Sequence, residues 1–209
     1  ENGELIQRIF TKGTNPFFQS EEESYLRIAA ELGIERNPKD PNKFARYPLV
    51  YLVEAADDIC YQIVDLEDAH RLGIISTADA KELLFAFFDR QTDRVVLSDL
   101  EESLKGITDE NEQMVILRSR TINKLITDCV NVFWNHYDEI MQSCFYTSLT
   151  DSFEGTPKQA LDTLSKLATE KIYNAREVIE IQVAGHRILS ELLQEFITAA
   201  LCKDKTLYD

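Results

Sequence analysis

The stretch Pro48–Ala69, PLVYLVEAADDICYQIVDLEDA, has the composition of one long and strongly apolar helix. Proline is favoured in the first turn of a helix, and Gly73, just after Leu72, is a typical stop signal. We therefore predict a helix from Pro48 to Leu72 that is buried on most of its sides. The same stretch carries carboxylates at positions 54, 57, 58, 65, 67 and 68. This is unusual because burying an ionised carboxylate without a partner is costly.

Helical patterns flank this stretch on both sides, and they predict an all-α fold in a single helical unit. Residues 1–45 are the least regular part and form a lead-in to a helical core over residues 46–209. Further helices are predicted over Glu21–Leu32, from Ser76, from a Thr108 cap to about Cys144, from a Thr156-Pro157 start, and from an Asn174–Glu177 capping box onward. Glu35–Asn42 is predicted as a loop, and 95–104 as either a short helix or an extended segment.

Composition excludes several classes of function. The chain has 209 residues, with 22 Lys and Arg against 37 Asp and Glu, which gives a net charge of −15. An acidic chain without a long basic run is a poor nucleic-acid binder, and no apolar stretch approaches the roughly 20 residues of a membrane span. The four cysteines lie far apart without a CxxC pair, so we expect reduced thiols and a cytoplasmic protein.

One set of polar side chains recurs along the long helix at intervals of four. Asp57, Tyr61 and Asp65 lie at positions i, i+4 and i+8, which places them in one stripe at about 3.6 residues per turn. Two carboxylates and a phenol in line could bind a cation and hold a polar ligand. The alternative is that the stripe simply faces water while the apolar residues cover the rest of the helix.

The run PLVYLVEAADDICYQIVDLEDA resembles the last metal-binding helix of the HD-domain deoxynucleoside triphosphate triphosphohydrolases, the bacterial dGTPase family. Weaker resemblances follow at Arg118–Ile126 (RSRTINKLI) and at Asn174–Leu189 (NAREVIEIQVAGHRIL), the latter to the family's C-terminal helix. The resemblance spans roughly residues 17–200. It implies that the fold is the C-terminal part of an HD-domain-like helical bundle.

The resemblance also implies an activity and a set of site residues. Enzymes of this family hydrolyse dGTP, or dNTPs more broadly, to the deoxynucleoside and tripolyphosphate with a divalent metal, Mg²⁺ or Mn²⁺. Asp57 matches a metal ligand of the family, while Tyr61 matches a tyrosine that packs on the sugar and would crowd out a 2′-OH. Asp65 matches an aspartate that accepts a hydrogen bond from the 3′-OH. Arg176, in the first turn of the last helix, is a candidate anion-binding residue or a purely structural one.

The chain departs from the family pattern in one important respect. The family's metal site also uses a His and a His-Asp pair, but His70, His136 and His186 all follow Asp57 and none is directly followed by Asp. One carboxylate cannot hold a catalytic ion alone. The chain also opens with Glu1 and not with Met. We therefore expect the C-terminal half of a longer enzyme, inactive by itself, whose partners are the missing N-terminal half and, since the family forms homo-oligomers, further copies.

Two other interpretations compete with this one. The long amphipathic helices are also typical of an oligomerisation or regulatory module in which Asp57 is incidental. A broader HD-domain nucleotidase or phosphodiesterase would act on monophosphates or cyclic dinucleotides. Arg118, Arg120 and Lys124 could supply positive charge for a triphosphate, or could belong to a solvated helix face.

Overall fold

The computed structural model describes residues 18–37 and 40–201, and its regular structure is dominated by helices. Within these residues the helices are α1 (Glu22–Glu31), α2 (Pro48–Arg71), α3 (Thr77–Phe85), α4 (Arg94–Leu104), α5 (Glu110–Asn135), α6 (Tyr137–Met141), α7 (Gly155–Leu167) and α8 (Arg176–Leu201). A 3-10 turn, Gln19–Glu21, precedes α1, and a π-helical turn, Ala168–Ile172, follows α7. The predicted all-α class is confirmed.

A short antiparallel hairpin connects α1 to α2, where the sequence predicts a loop over Glu35–Asn42. Strand β1 (Arg36–Asn37) pairs with β2 (Asp40–Phe44), with Arg36 opposite Phe44. Phe44 is almost fully buried, and its ring lies 4.9 Å from the ring of Tyr25 on α1 and 5.1 Å from the Arg36 guanidinium. Burial of the Phe44 ring favours the pairing of the two strands. This stabilisation outweighs the tendency of Pro38 and Pro41 to form an irregular loop.

Helix α2 is buried along one side only, so the prediction of burial on most sides is wrong. Its buried positions recur every three or four residues: Tyr51, Ala55, Ile59, Ile63, Leu66, Glu67 and Ala69. This side packs mainly against α5, which is also contacted by α3 and α4. The opposite side of α2 carries Asp57 and is exposed in the described structure.

A buried carboxylate joins α2 to α5. Glu67 has only 3% of its side chain exposed, and it accepts a hydrogen bond of 2.7 Å from Arg71 and a second from Arg118 on α5. Two guanidinium groups therefore compensate the buried charge. Arg118, considered above as a triphosphate ligand, has a structural role in this pairing.

Three predicted helix starts differ from those in the structure. Helix α5 begins after Asp109, whose Oδ1 accepts hydrogen bonds from the backbone N–H groups of Asn111 and Glu112, so Thr108 is not the cap. The helix ends at Asn135, and α6 follows after His136. Helix α7 starts at Gly155, one residue before the expected cap. Asn174 donates to the backbone carbonyl of Thr169, so it completes the π-helical turn and not a capping box.

Helix α8 extends from the described body without burying any of its residues. Its exposed large apolar residues are Ile179, Ile181, Val183, Ile188, Leu189, Leu192, Leu193, Phe196, Ile197 and Leu201. Despite this apolar surface, neither α8 nor any other helix of the described residues is both long and apolar enough to span a membrane.

Candidate functional site

The stripe predicted from spacing exists on the outward side of α2. Asp57 and Tyr61 are exposed, and Asp65, one turn further on, is half-buried. The three side chains differ in position by four residues each, and the helix places them in a gently winding row. The sequence therefore predicts their common side correctly, while their roles stay a prediction.

The surface around this row is not an ordinary solvated helix face. Val53 is 69% exposed, and Leu49 and Val64 on the same side of α2 are exposed as well. A solvated face of a helix normally carries polar residues. An exposed apolar strip that surrounds carboxylates is typical of a surface that contacts another part of a protein or a ligand.

A polar recess of about 280 Å³ opens next to Asp57. Its lining comes from the start of α2, from the segment before it and from the loop before α7: Arg46, Glu54, Asp57, Asp58, Gln62, Ser148, Thr150 and Asp151. Asp58 Oδ2 accepts a hydrogen bond of 2.8 Å from Thr150 Oγ1, which attaches that loop to α2. This hydrogen bond therefore links two of the segments that line the recess.

Arg46 is the most deeply buried member of this recess, at 6% exposure. Its guanidinium lies over the Tyr51 ring at 5.5 Å, and its Nη1 is 3.3 Å from Glu54 Oε2. Neither of these two ion-pair atoms makes a hydrogen bond with the described residues, and the same holds for the buried Oε1 of Gln62. Buried polar atoms normally have partners, so the recess retains hydrogen-bonding capacity for a polar group.

The far end of the stripe is tied to a tyrosine from another element. The Tyr173 hydroxyl donates a hydrogen bond of 2.8 Å to Asp65 Oδ2, and the rings of Tyr173 and Tyr61 have centroids 6.3 Å apart. The pKa of Tyr173 is held well above its usual range, first by burial and then by its hydrogen bonds to Asp65 and Tyr61. The phenol consequently stays protonated and remains a donor to the carboxylate.

Arg176 lies at the first position of α8 and is paired at the surface. Its side chain is 86% exposed, and its Nε donates to Glu180 Oε1 at 2.7 Å, four residues further along α8. The ion pair that the structure shows for Arg176 therefore lies within α8. It does not connect Arg176 to the row of Asp57, Tyr61 and Asp65 on α2. The anion-binding role suggested for Arg176 stays a prediction.

The described residues do not form a complete metal site. Across residues 18–37 and 40–201, no group of three or more His, Cys, Asp or Glu side chains is arranged to hold an ion. His70 contacts Thr77, His136 contacts Glu139, and His186 is exposed on α8, so none of the histidines is placed beside Asp57. Asp57 therefore lacks further metal ligands among the described residues, and its role as a metal ligand stays a prediction.

Two residues of this region were missed by the sequence reasoning. Tyr173 is 108 positions from Asp65, so no spacing rule connects them. Arg46 directly precedes the Tyr47-Pro48 start of α2, and a single arginine before a helix carries no signal of burial. Only the folded chain brings these residues to the stripe.

This chain is similar to several proteins named deoxyguanosinetriphosphate triphosphohydrolase or deoxyguanosinetriphosphate triphosphohydrolase-like protein. The triphosphohydrolase-like protein of Synechocystis sp. is 32% identical to this chain over 188 residues, which cover 90% of this chain and 40% of that relative. The triphosphohydrolase-like protein of Listeria monocytogenes is 32% identical over 76% of this chain. The triphosphohydrolase of Yersinia pestis is 29% identical over 85% of this chain. No protein-family model matches the chain.

The chain spans 35–40% of the length of these relatives. The similarity nevertheless covers most of the chain, including the helical stretch whose resemblance is described above. The chain is therefore similar to the C-terminal portion of the deoxyguanosinetriphosphate triphosphohydrolases.

Proposed function

We propose that this chain is the C-terminal part of a metal-dependent dNTP triphosphohydrolase that converts dGTP and water to deoxyguanosine and tripolyphosphate. The observation that carries the proposal is the row Asp57, Tyr61 and Asp65 on an outward, partly apolar side of α2. Relatives named for this activity support the choice of substrate class. In this proposal residues 1–209 form one helical unit of an HD-domain-like bundle, with a lead-in over 1–45 and the core over 46–209.

The outward side of α2 supports a site shared with a further part of the protein. Exposed Val53 and Leu49 beside Asp57 would be costly to leave in water, since burial stabilises by about 25 cal/mol per Å² of apolar surface. The relatives are more than twice as long as the matched region. An N-terminal half in the longer protein would cover this side and add the His and His-Asp ligands expected for the family.

Within that shared site, Asp57 would be one ligand of the divalent ion, Mg²⁺ or Mn²⁺. Carboxylate oxygen is a donor that both ions prefer. The described residues do not include a second and third donor arranged around Asp57. In this proposal the remaining ligands come from the longer protein, and the chain alone would be inactive.

The other end of the row would bind the sugar of the nucleotide. Tyr61 exposes a flat aromatic ring that a deoxyribose can pack against, and a 2′-OH would be crowded there. Asp65 would accept a hydrogen bond from the 3′-OH, because a carboxylate is a strong acceptor for a hydroxyl. Arg176 would approach the nucleotide phosphates after releasing Glu180.

The test is the release of tripolyphosphate from dGTP with Mn²⁺ by the full-length protein and by the 209-residue chain. We expect release by the full-length protein, none by the chain, and loss of release in the full-length Asp57→Ala variant. Asp68→Ala is the matched control, since Asp68 is an exposed aspartate on the same helix. An intact full-length protein that releases tripolyphosphate from no dNTP would contradict the proposal.

A second candidate, a helical oligomerisation or regulatory module, is favoured by α8. This helix presents its apolar residues to solvent along its whole length. Light scattering on the 209-residue chain, with Leu192→Glu in α8 as the comparison, tests this function. A homo-oligomer that the substitution dissociates would support it, and it is compatible with a triphosphohydrolase. A wild-type chain that stays monomeric would count against it.

A further inference from the structure

The segment before α8 has an unusual backbone that fixes the position of Tyr173. Ala168–Ile172 forms a π-helical turn, and the Tyr173 N–H donates to the carbonyl of Ala168 at 2.9 Å. Ala168 and Ile172 are buried, and the turn packs against α2. Single π-helical turns are rare and frequently lie at functional sites. This turn directs the Tyr173 side chain onto α2.

Tyr173 occupies only part of the hydrogen-bonding capacity of Asp65. Its hydroxyl is bonded to Oδ2, and a carboxylate offers about four acceptor positions on its two oxygens. An aspartate held at one oxygen has lost most of its rotational freedom. The other oxygen therefore has a defined direction without any ligand bound.

The two tyrosine rings beside this carboxylate form one wall. Their centroids are 6.3 Å apart and the ring planes are tilted by 33°. This separation is within the range of direct aromatic contact, so no further ring fits between them. A wall of two aromatic rings with a fixed carboxylate at its edge matches a sugar, which has apolar C–H surface and hydroxyl groups at its rim.

We propose that Tyr173 is a positioning residue that holds Asp65 through Oδ2, so that the other carboxylate oxygen accepts a hydrogen bond from the 3′-OH of the bound deoxynucleotide. This inference rests on the proposed function. The inference adds Tyr173, a residue from a distant element, to the proposed site. It also gives a physical reason for selectivity towards the sugar. A site built to hydrogen-bond a hydroxyl discriminates strongly against an analogue that lacks it.

The experiment compares dGTP with 2′,3′-dideoxyguanosine triphosphate as substrates of the full-length protein. The measured quantity is the ratio of their kcat/KM values in the wild type, Tyr173→Phe, Asp65→Asn and the double variant. We expect Tyr173→Phe to lower this ratio about tenfold, because a hydrogen bond to a charged group is lost. In Asp65→Asn, adding Tyr173→Phe should change the ratio little further, since both act through one interaction.

Tyr51→Phe is the matched control. It also removes a tyrosine hydrogen bond, from the Tyr51 hydroxyl to the carbonyl of Phe145 at 2.6 Å, but at a site remote from Asp65 along α2. It should lower thermal stability and leave the substrate ratio unchanged. An unchanged ratio in Tyr173→Phe, or independent effects of Tyr173→Phe and Asp65→Asn, would overturn the inference alone. A wild-type protein that hydrolyses no dNTP would overturn the proposed function and this inference with it.

Discussion

Helices α2 and α8 are similar in length and differ completely in environment. Helix α2 has 24 residues and buries seven of them, whereas α8 has 26 residues and buries none. Both carry apolar residues at helical spacing. The comparison teaches that a hydrophobic pattern predicts that a face requires a partner, but the pattern does not identify the partner. For α2 the partner is α5, and for α8 it is not among the described residues.

The largest expected contrast concerns cysteine reactivity on the packed and outward surfaces. Burial, followed by the nearby Asp128 and Asp58, raises the pKa of Cys129 on α5 to about 12, whereas Cys60 is exposed on α2. The thiolate is the reactive form, so iodoacetamide at pH 8 should modify Cys129 about a thousandfold more slowly. Peptide mass spectrometry over time measures both rates. Equal rates would show that the α2–α5 core is open.

A matched pair of leucines tests burial directly. Leu66 of α2 is fully buried, and Leu192 of α8 is about half exposed. Leu66→Ala should lower the free energy of unfolding by about 3 kcal/mol through lost burial and the resulting cavity. Leu192→Ala should change it by less than about 0.5 kcal/mol in the 209-residue chain. Urea denaturation measures both, and a large loss for Leu192→Ala would show that α8 is packed.

Ion pairs give a third, smaller contrast between the two helices. Arg118 pairs with buried Glu67 of α2, whereas Arg187 pairs with Glu191 in the open on α8. Arg118→Ala should cost about 1–3 kcal/mol of unfolding free energy, because Glu67 then keeps only Arg71. Arg187→Ala should cost about 0.3–0.5 kcal/mol. Similar losses in both variants, measured by urea denaturation, would contradict the buried role of Glu67.

The smallest expected effect concerns pH and a loop of the packed body. Hydrogen bonds from the Thr92 and Gln91 backbone, and then from Thr156, hold the pKa of Asp89 below its ordinary value. A lowered folded-state pKa stabilises the fold above the unfolded-state pKa, and this contribution is lost as the pH falls through the folded-state pKa. Asp89→Asn should therefore lower Tm at pH 7 more than at pH 3. A difference independent of pH would contradict this assignment.

The sequence predicts most of the helices because their signals are local. Pro48 and Gly73 bound α2 in the chain as they do in the fold, and the Ser76 side chain accepts from the Asp79 N–H as its capping pattern predicts. The start of α5 differs from the prediction by one residue because Thr108 and Asp109 are both good caps. Only the folded backbone shows that Asp109 makes the bonds.

The candidate site could be predicted only in the part that lies on one helix. Asp57, Tyr61 and Asp65 share a side of α2 because helical geometry requires it. Tyr173 could not be connected to them, since its direction depends on a π-helical turn that no residue pattern announces. The outward exposure of Asp57 was equally beyond the sequence, because it depends on which other parts of the protein cover α2.

The central claim is that the Asp57 side of α2 forms part of a metal and nucleotide site in a longer protein. Mn²⁺ binding by the full-length protein, measured by electron paramagnetic resonance, tests it most directly. We expect Asp57→Ala to weaken Mn²⁺ binding at least tenfold, because losing even a residue that only hydrogen-bonds to a metal ligand weakens metal affinity about tenfold or more. Asp68→Ala should leave Mn²⁺ binding unchanged. Equal Mn²⁺ affinity in the wild type and Asp57→Ala would contradict the claim.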